Sequence, residues 1–210
     1  MLVVVTGVSG TGKTTLGLGL SQALGIPFLD ADDFHPPANI EKMSSGEPLT
    51  DADRQPWLAS LAAKLLEMEE KGGAVLACSA LKNAYREQLK VSESLRWIHL
   101  VGDRDLIWQR MLARQNHYMK AGLLDSQLAI WEQPRVGHLV AISGTPAQVL
   151  EVSLHNLKMQ DMKMNMGVIG MGVMGKSLAL NLAENGVSVS LYNRFVAGKE
   201  EGIAQKVLFE

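Results

Sequence analysis

A glycine-rich loop at residues 7–14 constrains the fold of this chain more than any other feature. The loop reads Gly-Val-Ser-Gly-Thr-Gly-Lys-Thr, follows the apolar run at residues 2–5, and precedes a segment in which Leu16, Leu20 and Leu24 recur at helical spacing. A strand, a GxxxxGK[ST] loop and a helix, in that order, are the context of a phosphate-binding loop. We therefore predict that the chain binds a nucleoside triphosphate.

The residue types of this loop have separate roles in holding phosphates. Glycines allow successive backbone N–H groups to point inward at the phosphate oxygens, the Lys13 ammonium reaches the terminal phosphates, and the Thr14 hydroxyl can ligate Mg2+. The residues predicted to contact ATP in this region are Gly7, Ser9, Gly10, Thr11, Gly12, Lys13, Thr14 and Thr15.

Composition limits the kinds of partner that the chain can have. The sequence has 20 Lys and Arg residues against 22 Asp and Glu residues, for a net charge of -2. It therefore lacks the large basic field that tracks nucleic acid or holds an anionic membrane. We find no secretory signal at the N-terminus and no apolar run near the ~20 residues of a membrane span. We expect a cytoplasmic protein that acts on small molecules.

Five apolar segments alternate with helical patterns along most of the chain. We predict strands at residues 3–5, 27–30, 74–78, 96–101 and 138–142, a helix that begins at residues 51–56 with Asp51 or Asp53 as its cap, and a last helix at residues 147–157. Continuous apolar runs are typical of parallel strands buried on both faces. The pattern predicts an α/β domain of the P-loop kinase type that ends near residue 158.

Two side chains that could react are predicted to be core residues instead. Cys78 ends a buried strand and has no His or Asn arrangement around it, so we interpret it as a small packed residue and not as a nucleophile. Because it is the sole cysteine, an internal disulfide is excluded. His99 lies inside the fourth strand, where a packed residue is expected more often than a catalyst.

Two carboxylates follow the second strand. Asp30 and Asp32 are two residues apart on an extended segment, so they share a face at the sheet edge where ligands of open α/β sheets lie. One could order Mg2+ through water while the other accepts a proton from an attacking hydroxyl. The alternative is a solvated turn or a helix cap before Pro36.

Two arginines precede a polar segment that we interpret as a lid. Arg110 and Arg114 are four apart on the helix after Asp103, and residues 115–120 follow. Two guanidinium groups entering a closing loop are suited to stabilising charge on a transferring phosphoryl group. The alternative is a solvated helix face, paired with Asp103 or Asp105.

Several segments resemble the signature segments of bacterial-type gluconokinases, namely residues 29–43, 48–58 and 78–82. Residues that resemble the lid of that family are Arg114, His117, Tyr118, Met119, Leu123, Leu124, Ser126 and Gln127. The resemblance covers residues 1 to 158. It implies a nucleoside-monophosphate-kinase-like fold, phosphorylation of D-gluconate at its 6-hydroxyl with ATP and Mg2+, and a homodimer.

The resemblance also implies roles for individual residues. Asp32 would orient or deprotonate the hydroxyl and Asp30 would lie nearer the metal, while Arg110 would lie by the adenine or phosphates and Arg114 would be the lid cation. The residues that it makes candidates for binding the substrate are Asp32, Asp33, His35, Lys42, Arg54, Ser79, Lys82 and Arg86. Which cation meets the gluconate carboxylate is left open. The rival hypotheses are a kinase for another small hydroxy acid, such as shikimate, and a nucleotide-sensing regulatory module.

A second nucleotide motif follows a connector at residues 159–164. Gly170, Gly172 and Gly175 form a GxGxxG between a strand at 166–169 and a helix, and a strand at 187–192 completes a βαβ unit. Asn193 and Arg194 stand where a ribose-binding acid is usual, which favours NADP over NAD. Residues 165–210 resemble the start of 6-phosphogluconate dehydrogenase. We expect a truncated Rossmann fragment that binds NADP weakly and has no dehydrogenase activity.

Overall fold

The computed structural model of the chain describes residues 1–113, 124–161, 165–169, 177–178, 180–182 and 188–192. The chain divides into two compact units, residues 1–157 and residues 158–210. In the described parts of the chain, no helix combines the length and the apolarity needed to cross a membrane.

The first unit is built on a five-stranded parallel sheet. Its strands are β1 (Leu2–Thr6), β2 (Phe28–Asp30), β3 (Ala74–Ala77), β4 (Leu95–Val101) and β5 (His138–Ala141). Their order across the sheet is β2-β3-β1-β4-β5, and every neighbouring pair is parallel. The predicted fold class is therefore confirmed, because each predicted apolar run forms one strand of this sheet.

Helices cover both faces of the sheet. They are α1 (Lys13–Leu24), α2 (Pro37–Ser45), α3 (Asp51–Glu70), α4 (Asn83–Leu89), α5 (Arg104–Leu112), α6 (Leu124–Ile130) and α7 (Pro146–Asp161), with a 3-10 turn at Ala31–Phe34. Val4 of β1 packs in one core with α3 and α4, whereas Val3 and Val5 pack in the other with α1, α5, α6 and α7. Alternate side chains of one strand thus feed two cores, which is why the run is apolar throughout.

Several element boundaries differ from the sequence-based prediction. Residues 37–45, for which no helix was predicted, form α2, which has Pro at its first position, buries Asn39 and Met43 on one face, and ends at Gly46. The cap of α3 is Thr50, which forms a capping box with Asp53. Helix α7 runs four residues further than predicted, into the expected connector.

The two predicted core residues are buried. The Cys78 thiol is free, and burial raises its pKa to about 12. The His99 ring is 1% exposed and lies between the Thr6 hydroxyl, 2.6 Å from Nδ1, and the Val136 carbonyl, 2.9 Å from Nε2. Because a carbonyl only accepts, Nε2 carries the ring hydrogen and Thr6 donates to Nδ1. Burial lowers the pKa of His99 to about 4, so the ring is neutral.

The second unit contains a two-stranded parallel pair. Strands β6 (Asn165–Ile169) and β7 (Ser188–Tyr192) pair with Asn165 opposite Ser188 and Ile169 opposite Tyr192. Residues 177–178 and 180–182 are helical. A parallel pair with a helix in the intervening chain is the predicted βαβ arrangement. The predicted NADP contacts Gly170, Gly172, Gly175, Asn193 and Arg194 lie outside the described residues.

Candidate active site

The phosphate loop joins the end of β1 to the first turn of α1. Gly12 has a φ of 93° at the N-cap of α1, a conformation that suits glycine. A Cβ on Gly7 would lie 2.8 Å from the Leu100 carbonyl oxygen, so this position also requires glycine. The loop therefore leads directly into the N-terminus of a 12-residue helix, an end that favours an anion.

Hydrogen bonds within the loop hold its shape. The Thr11 hydroxyl donates to the Val8 carbonyl at 2.8 Å, and the Lys13 ammonium lies 3.2 Å from the same oxygen. Lys13 is thus folded back over the loop, with its ammonium at the Val8 carbonyl.

The two predicted metal-binding residues meet at the end of the loop. The Thr14 hydroxyl donates to one Asp30 carboxylate oxygen at 3.1 Å, and the backbone N–H of Asp32 donates to the other at 3.1 Å. Hydroxyl and carboxylate oxygens suit Mg2+, which keeps several waters and phosphate oxygens as ligands. Among the described residues no group of three or more His, Cys, Asp or Glu forms a metal cage. The pair fits an ion of that kind, held largely by nucleotide and water.

A cavity of about 400 Å³ opens beside this loop. Its walls come from the phosphate loop, the 3-10 turn, the start of α3, the β3–α4 connection and α6. The sequence-predicted residues that line it are Ser9, Lys13, Asp32, His35, Arg54, Ser79 and Lys82. The structure therefore brings the phosphate loop and most of the predicted substrate-binding residues to one cavity, which we call the acceptor cavity.

A cluster of Asp51, Arg54, Lys82 and Tyr85 lies at this cavity, and we call it the Asp51 cluster. Asp51 accepts hydrogen bonds from Lys82 at 2.7 and 2.8 Å and from the Tyr85 hydroxyl at 2.5 Å. The hydrogen bond from Lys82, followed by the one from Tyr85, holds the pKa of Asp51 below its usual range. Asp51 is therefore ionised, and with two cations beside it the cluster carries one net positive charge.

Tyr85 orients both cations of the Asp51 cluster. The Arg54 guanidinium donates to the Tyr85 hydroxyl at 3.4 Å and to the Leu49 carbonyl at 2.6 Å. The Arg54 Cζ and the Lys82 Nζ each lie 5.6 Å from the centroid of the Tyr85 ring, within the range of a cation–π contact. Both positive groups are thus held by contacts within the protein.

An imidazole also lines the acceptor cavity. His35 stacks on Trp57 with ring centroids 4.4 Å apart and planes 9° from parallel. The Asn39 amide nitrogen, which donates to the Asp53 carbonyl, lies 3.4 Å from His35 Nδ1, so Nδ1 accepts and Nε2 carries the hydrogen. Burial lowers the pKa of His35, although the nearby Asp32 charge opposes the shift. A neutral ring with one N–H donor can therefore bind a hydroxyl.

Three predicted substrate-binding residues do not line the acceptor cavity. Asp33 is exposed, and Lys42 is paired with Asp53 at 2.9 Å. Arg86 is buried, and its guanidinium donates to the carbonyls of Ala80, Leu81 and Glu132. Arg86 therefore stabilises the β3–α4 connection from inside the protein, because its side chain points inward from the short helix α4.

A second cavity of about 360 Å³ contacts the loop at Gly10, Thr11, Gly12 and Thr15. Arg110 also lines it and donates to the Ile142 carbonyl at 2.8 Å. This cavity brings Arg110 near the phosphate loop, and we name it the nucleotide-side cavity for the role proposed below. Arg114 follows the last residue of α5 by two positions and lies outside the described residues, as do residues 115–120 and Leu123 of the predicted lid. The other residues of the lid resemblance, Leu124, Ser126 and Gln127, lie in α6.

Sequence reasoning missed three residues of the acceptor cavity region. Asp51 was interpreted only as a helix cap, Tyr85 was given no role, and Gln127 was noted only as part of a lid resemblance. Asp51 and Arg54 are spaced three apart on the first turn of α3, which could have indicated a shared face. Nothing in the sequence pairs that turn with α4 or the phosphate loop with α6.

Two family models match separate parts of the chain. The model of shikimate kinase matches residues 9–132, and that of the NAD binding domain of 6-phosphogluconate dehydrogenase matches residues 165–209. The phosphate loop, the parallel sheet and the first of these matches define the first unit as a P-loop kinase.

Relatives narrow this class. The chain is 46% identical to the gluconokinase of Gluconobacter oxydans over 164 residues, which cover 76% of this chain and 92% of that relative. The unliganded crystal structure of a sugar kinase from Janibacter sp. matches with a TM-score of 0.72 at 42% identity, covering 75% of this chain and 94% of that one. A gluconokinase from Sinorhizobium meliloti matches with a TM-score of 0.69 at 37% identity, covering 75% and 91%. The chain belongs to the gluconokinase family, as the resemblance of its signature segments predicted.

Proposed function

We propose that the chain transfers a phosphoryl group from ATP to the 6-hydroxyl of D-gluconate and so forms 6-phospho-D-gluconate. One observation carries this proposal beyond family membership. The acceptor cavity is lined at once by the phosphate loop, through Ser9 and Lys13, and by the cations of the Asp51 cluster. A substrate with an anionic group and a distant hydroxyl fits such a cavity.

The charge of the Asp51 cluster supports a single carboxylate as the anionic group. Arg54 and Lys82 together carry two positive charges, and Asp51 neutralises one of them. The charge that is left matches one carboxylate, and the planar guanidinium of Arg54 can bind it bidentately. We propose that the gluconate carboxylate lies between Arg54 and Lys82.

Asp32 is the proposed group that prepares the acceptor hydroxyl. Its carboxylate lines the acceptor cavity, and its backbone N–H is tied to Asp30, which positions it beside the phosphate loop. The hydroxyl oxygen attacks the terminal phosphorus in line while Asp32 accepts its proton. The bond from that phosphorus to the β,γ-bridging oxygen breaks, ADP leaves, and no covalent enzyme intermediate forms. The His35 Nε2–H and the Ser79 side chain are proposed to bind further hydroxyls of the acceptor.

The phosphate loop is proposed to hold ATP, with Arg110 on the nucleotide side. Thr14 and Asp30 would hold Mg2+, which when bound neutralises charge on the phosphates. Lys13 would bind the terminal phosphate. Arg114 remains the predicted lid cation.

A kinase for another hydroxy acid is the second candidate, because the shikimate kinase model matches residues 9–132. Measuring ADP release from ATP and Mg2+ with D-gluconate, with shikimate and with water alone separates the hypotheses. The proposal expects turnover with gluconate well above the water background. Turnover with shikimate alone would establish the second candidate, and ATP binding without turnover on any acceptor would favour a regulatory module.

The second unit is proposed to bind NADP weakly, with Arg194 on the 2′-phosphate. The family-model match at residues 165–209 and the parallel pairing of β6 with β7 support this proposal. Equilibrium binding of NADP and of NAD to the full chain, with an Arg194→Asp variant as the comparison, tests it.

A homodimeric state and a cytoplasmic location remain predictions. Light scattering on the purified chain tests the homodimeric state.

A further inference from the structure

Gln127 of α6 contacts the phosphate loop directly. Its Oε1 accepts a hydrogen bond from the backbone N–H of Ser9 at 2.7 Å, and its Nε2 donates to the Ser9 hydroxyl at 3.3 Å. The two residues are 118 positions apart in the chain. One side-chain amide therefore joins the loop that would carry the nucleotide to a helix that lines the acceptor cavity.

Helix α6 is held in place by other contacts. Leu124 is fully buried in the core, and Asp125 forms a two-pronged ion pair with Arg104 of α5 at 2.7 and 2.9 Å. Just after the helix, the N–H of Glu132 donates to the Leu81 carbonyl at 2.9 Å, and the Glu132 carboxylate accepts from the N–H of Asn83 at 2.7 Å. Since the helix is fixed at both ends, Gln127 is not needed to place it. What Gln127 adds is the position of the loop relative to the helix.

Ser9 stands at the boundary between the two cavities. It lines the acceptor cavity, whereas the next three residues of the loop line the nucleotide-side cavity. Fixing Ser9 therefore fixes the separation between a phosphate bound by the loop and a hydroxyl bound in the acceptor cavity. Transfer is sensitive to that separation, because a displacement of ~1 Å can cost roughly 100-fold in rate.

The chemistry of an amide suits this position. An amide oxygen satisfies the Ser9 N–H without bringing a negative charge next to a loop that binds phosphates. A carboxylate would make the same bond and repel the phosphates, and an apolar side chain would leave the N–H without this acceptor.

We propose that Gln127 is a positioning residue that holds the phosphate loop against the acceptor wall, so that the phosphoryl group passes to the acceptor hydroxyl and not to water. This proposal rests on the proposed kinase function. Gln127 acts through Ser9, and its effect is on the partition of the reaction between two acceptors.

The test replaces Gln127 with Met, which is similar in length and lacks the amide. A matched control is Gln109→Met, a change of the same kind at an exposed position of α5. Four quantities are measured for each protein: kcat and KM with D-gluconate, ADP release without acceptor, the Kd of ATP, and the melting temperature. We expect Gln127→Met to lower kcat with gluconate roughly 10- to 100-fold, with ATP affinity changed less than about 3-fold. ADP release without acceptor should hold or rise, so the ratio of hydrolysis to transfer increases at least about 10-fold.

A second variant, Gln127→Glu, keeps the acceptor for the Ser9 N–H and adds a charge. It should restore the ratio of hydrolysis to transfer to near the wild-type value while weakening ATP binding. The proposal is overturned if Gln127→Met lowers transfer and hydrolysis in proportion, if it leaves both unchanged, or if Gln109→Met has the same effect. Wild-type protein that shows no gluconate-dependent ADP release would contradict the kinase function itself, which keeps the two failures distinct.

Discussion

The Lys82 ammonium lies 2.7 and 2.8 Å from the two carboxylate oxygens of Asp51, a residue 31 positions earlier in the chain. This pair lies beside Arg54 and Tyr85 at the acceptor cavity. The pair places the Lys82 cation at the cavity that we propose for an acidic substrate. Asp51 is the one carboxylate of the cluster, so the second positive charge, that of Arg54, has no second carboxylate to offset it.

Replacing Lys82 by Met should weaken binding of the acidic substrate and not of the nucleotide. A hydrogen bond to a charged group contributes ~1.5–3 kcal/mol, so KM for gluconate should rise roughly 10- to 100-fold with little change in KM for ATP. The matched control is Lys42→Met, which also removes one lysine charge but at a residue paired with Asp53 outside the cavity. Initial rates over both substrate concentrations give the answer. Equal rises in KM for the two variants would disprove this assignment of Lys82.

Replacing Asp32 by Asn should abolish proton acceptance while leaving the nucleotide site intact. General bases contribute typically 10²- to 10⁴-fold, so kcat should fall by at least about 100-fold while ATP binding measured by calorimetry stays near wild type. Asp33→Asn is the control, because Asp33 is the adjacent carboxylate and does not line the cavity. If Asp33→Asn were the more damaging of the two, the role assigned to Asp32 would be wrong.

Gly12 and Gly25 are the two caps of α1. Substitutions at both allow the stability cost of a side chain on a left-handed backbone to be distinguished from its effect on phosphate binding. Gly12 caps the N-terminus with φ 93° and Gly25 the C-terminus with φ 67°, and a Cβ at either position meets no atom within 4 Å. Alanine at either site should cost about 1–2 kcal/mol of stability from the left-handed backbone. Only Gly12→Ala should also weaken ATP binding, by more than about 10-fold. Denaturant melts and nucleotide titrations measure the two effects, and equal ATP affinities for the two variants would contradict the placement of the phosphates.

Stability should fall as the pH is lowered, in part because of His99. Its pKa is lowered to about 4 by burial, whereas the unfolded chain takes up the proton near pH 6.5. Between these values the unfolded state binds more protons, so stability is fully present above pH 6.5 and decreases on acidification by about 1.4 kcal/mol per pH unit. The dependence of stability on pH, measured by urea unfolding between pH 5 and 7, should be weaker in His99→Gln. The difference should equal the contribution of one proton, about 1.4 kcal/mol per pH unit. The pKa of His35 is lowered by burial in both proteins, so the contribution of His35 cancels when the two slopes are compared. Parallel slopes for the two proteins would show that His99 does not titrate in this way.

The sheet could be predicted because its signal is local. Apolar residues occupy most positions of every strand, and β1 is buried along its whole length between two helical layers. The meeting of Thr14 with Asp30 was predictable for a related reason, since the carboxyl ends of parallel strands share one edge of the sheet.

The direction of individual cations could not be predicted in the same way. Arg86 lies one turn after Lys82, yet its guanidinium turns into the protein to satisfy carbonyl groups, while Lys82 faces the cavity. Which of the two faces the cavity depends on how α4 packs against α3 and on the carbonyl groups left by the β3–α4 connection. The bonds of Asp51 to α4 and of Gln127 to Ser9 depend likewise on contacts between distant segments.

Transfer to the 6-hydroxyl of gluconate can be tested by identifying the product. Purified protein would be incubated with ATP, Mg2+ and D-gluconate, and the product examined by phosphorus–proton correlation NMR. We expect a phosphate monoester whose phosphorus couples to the two methylene protons of C6, formed with an equal amount of ADP. Phosphorus found only as inorganic phosphate, or coupled to a methine proton of another carbon, would contradict transfer to the 6-hydroxyl of gluconate.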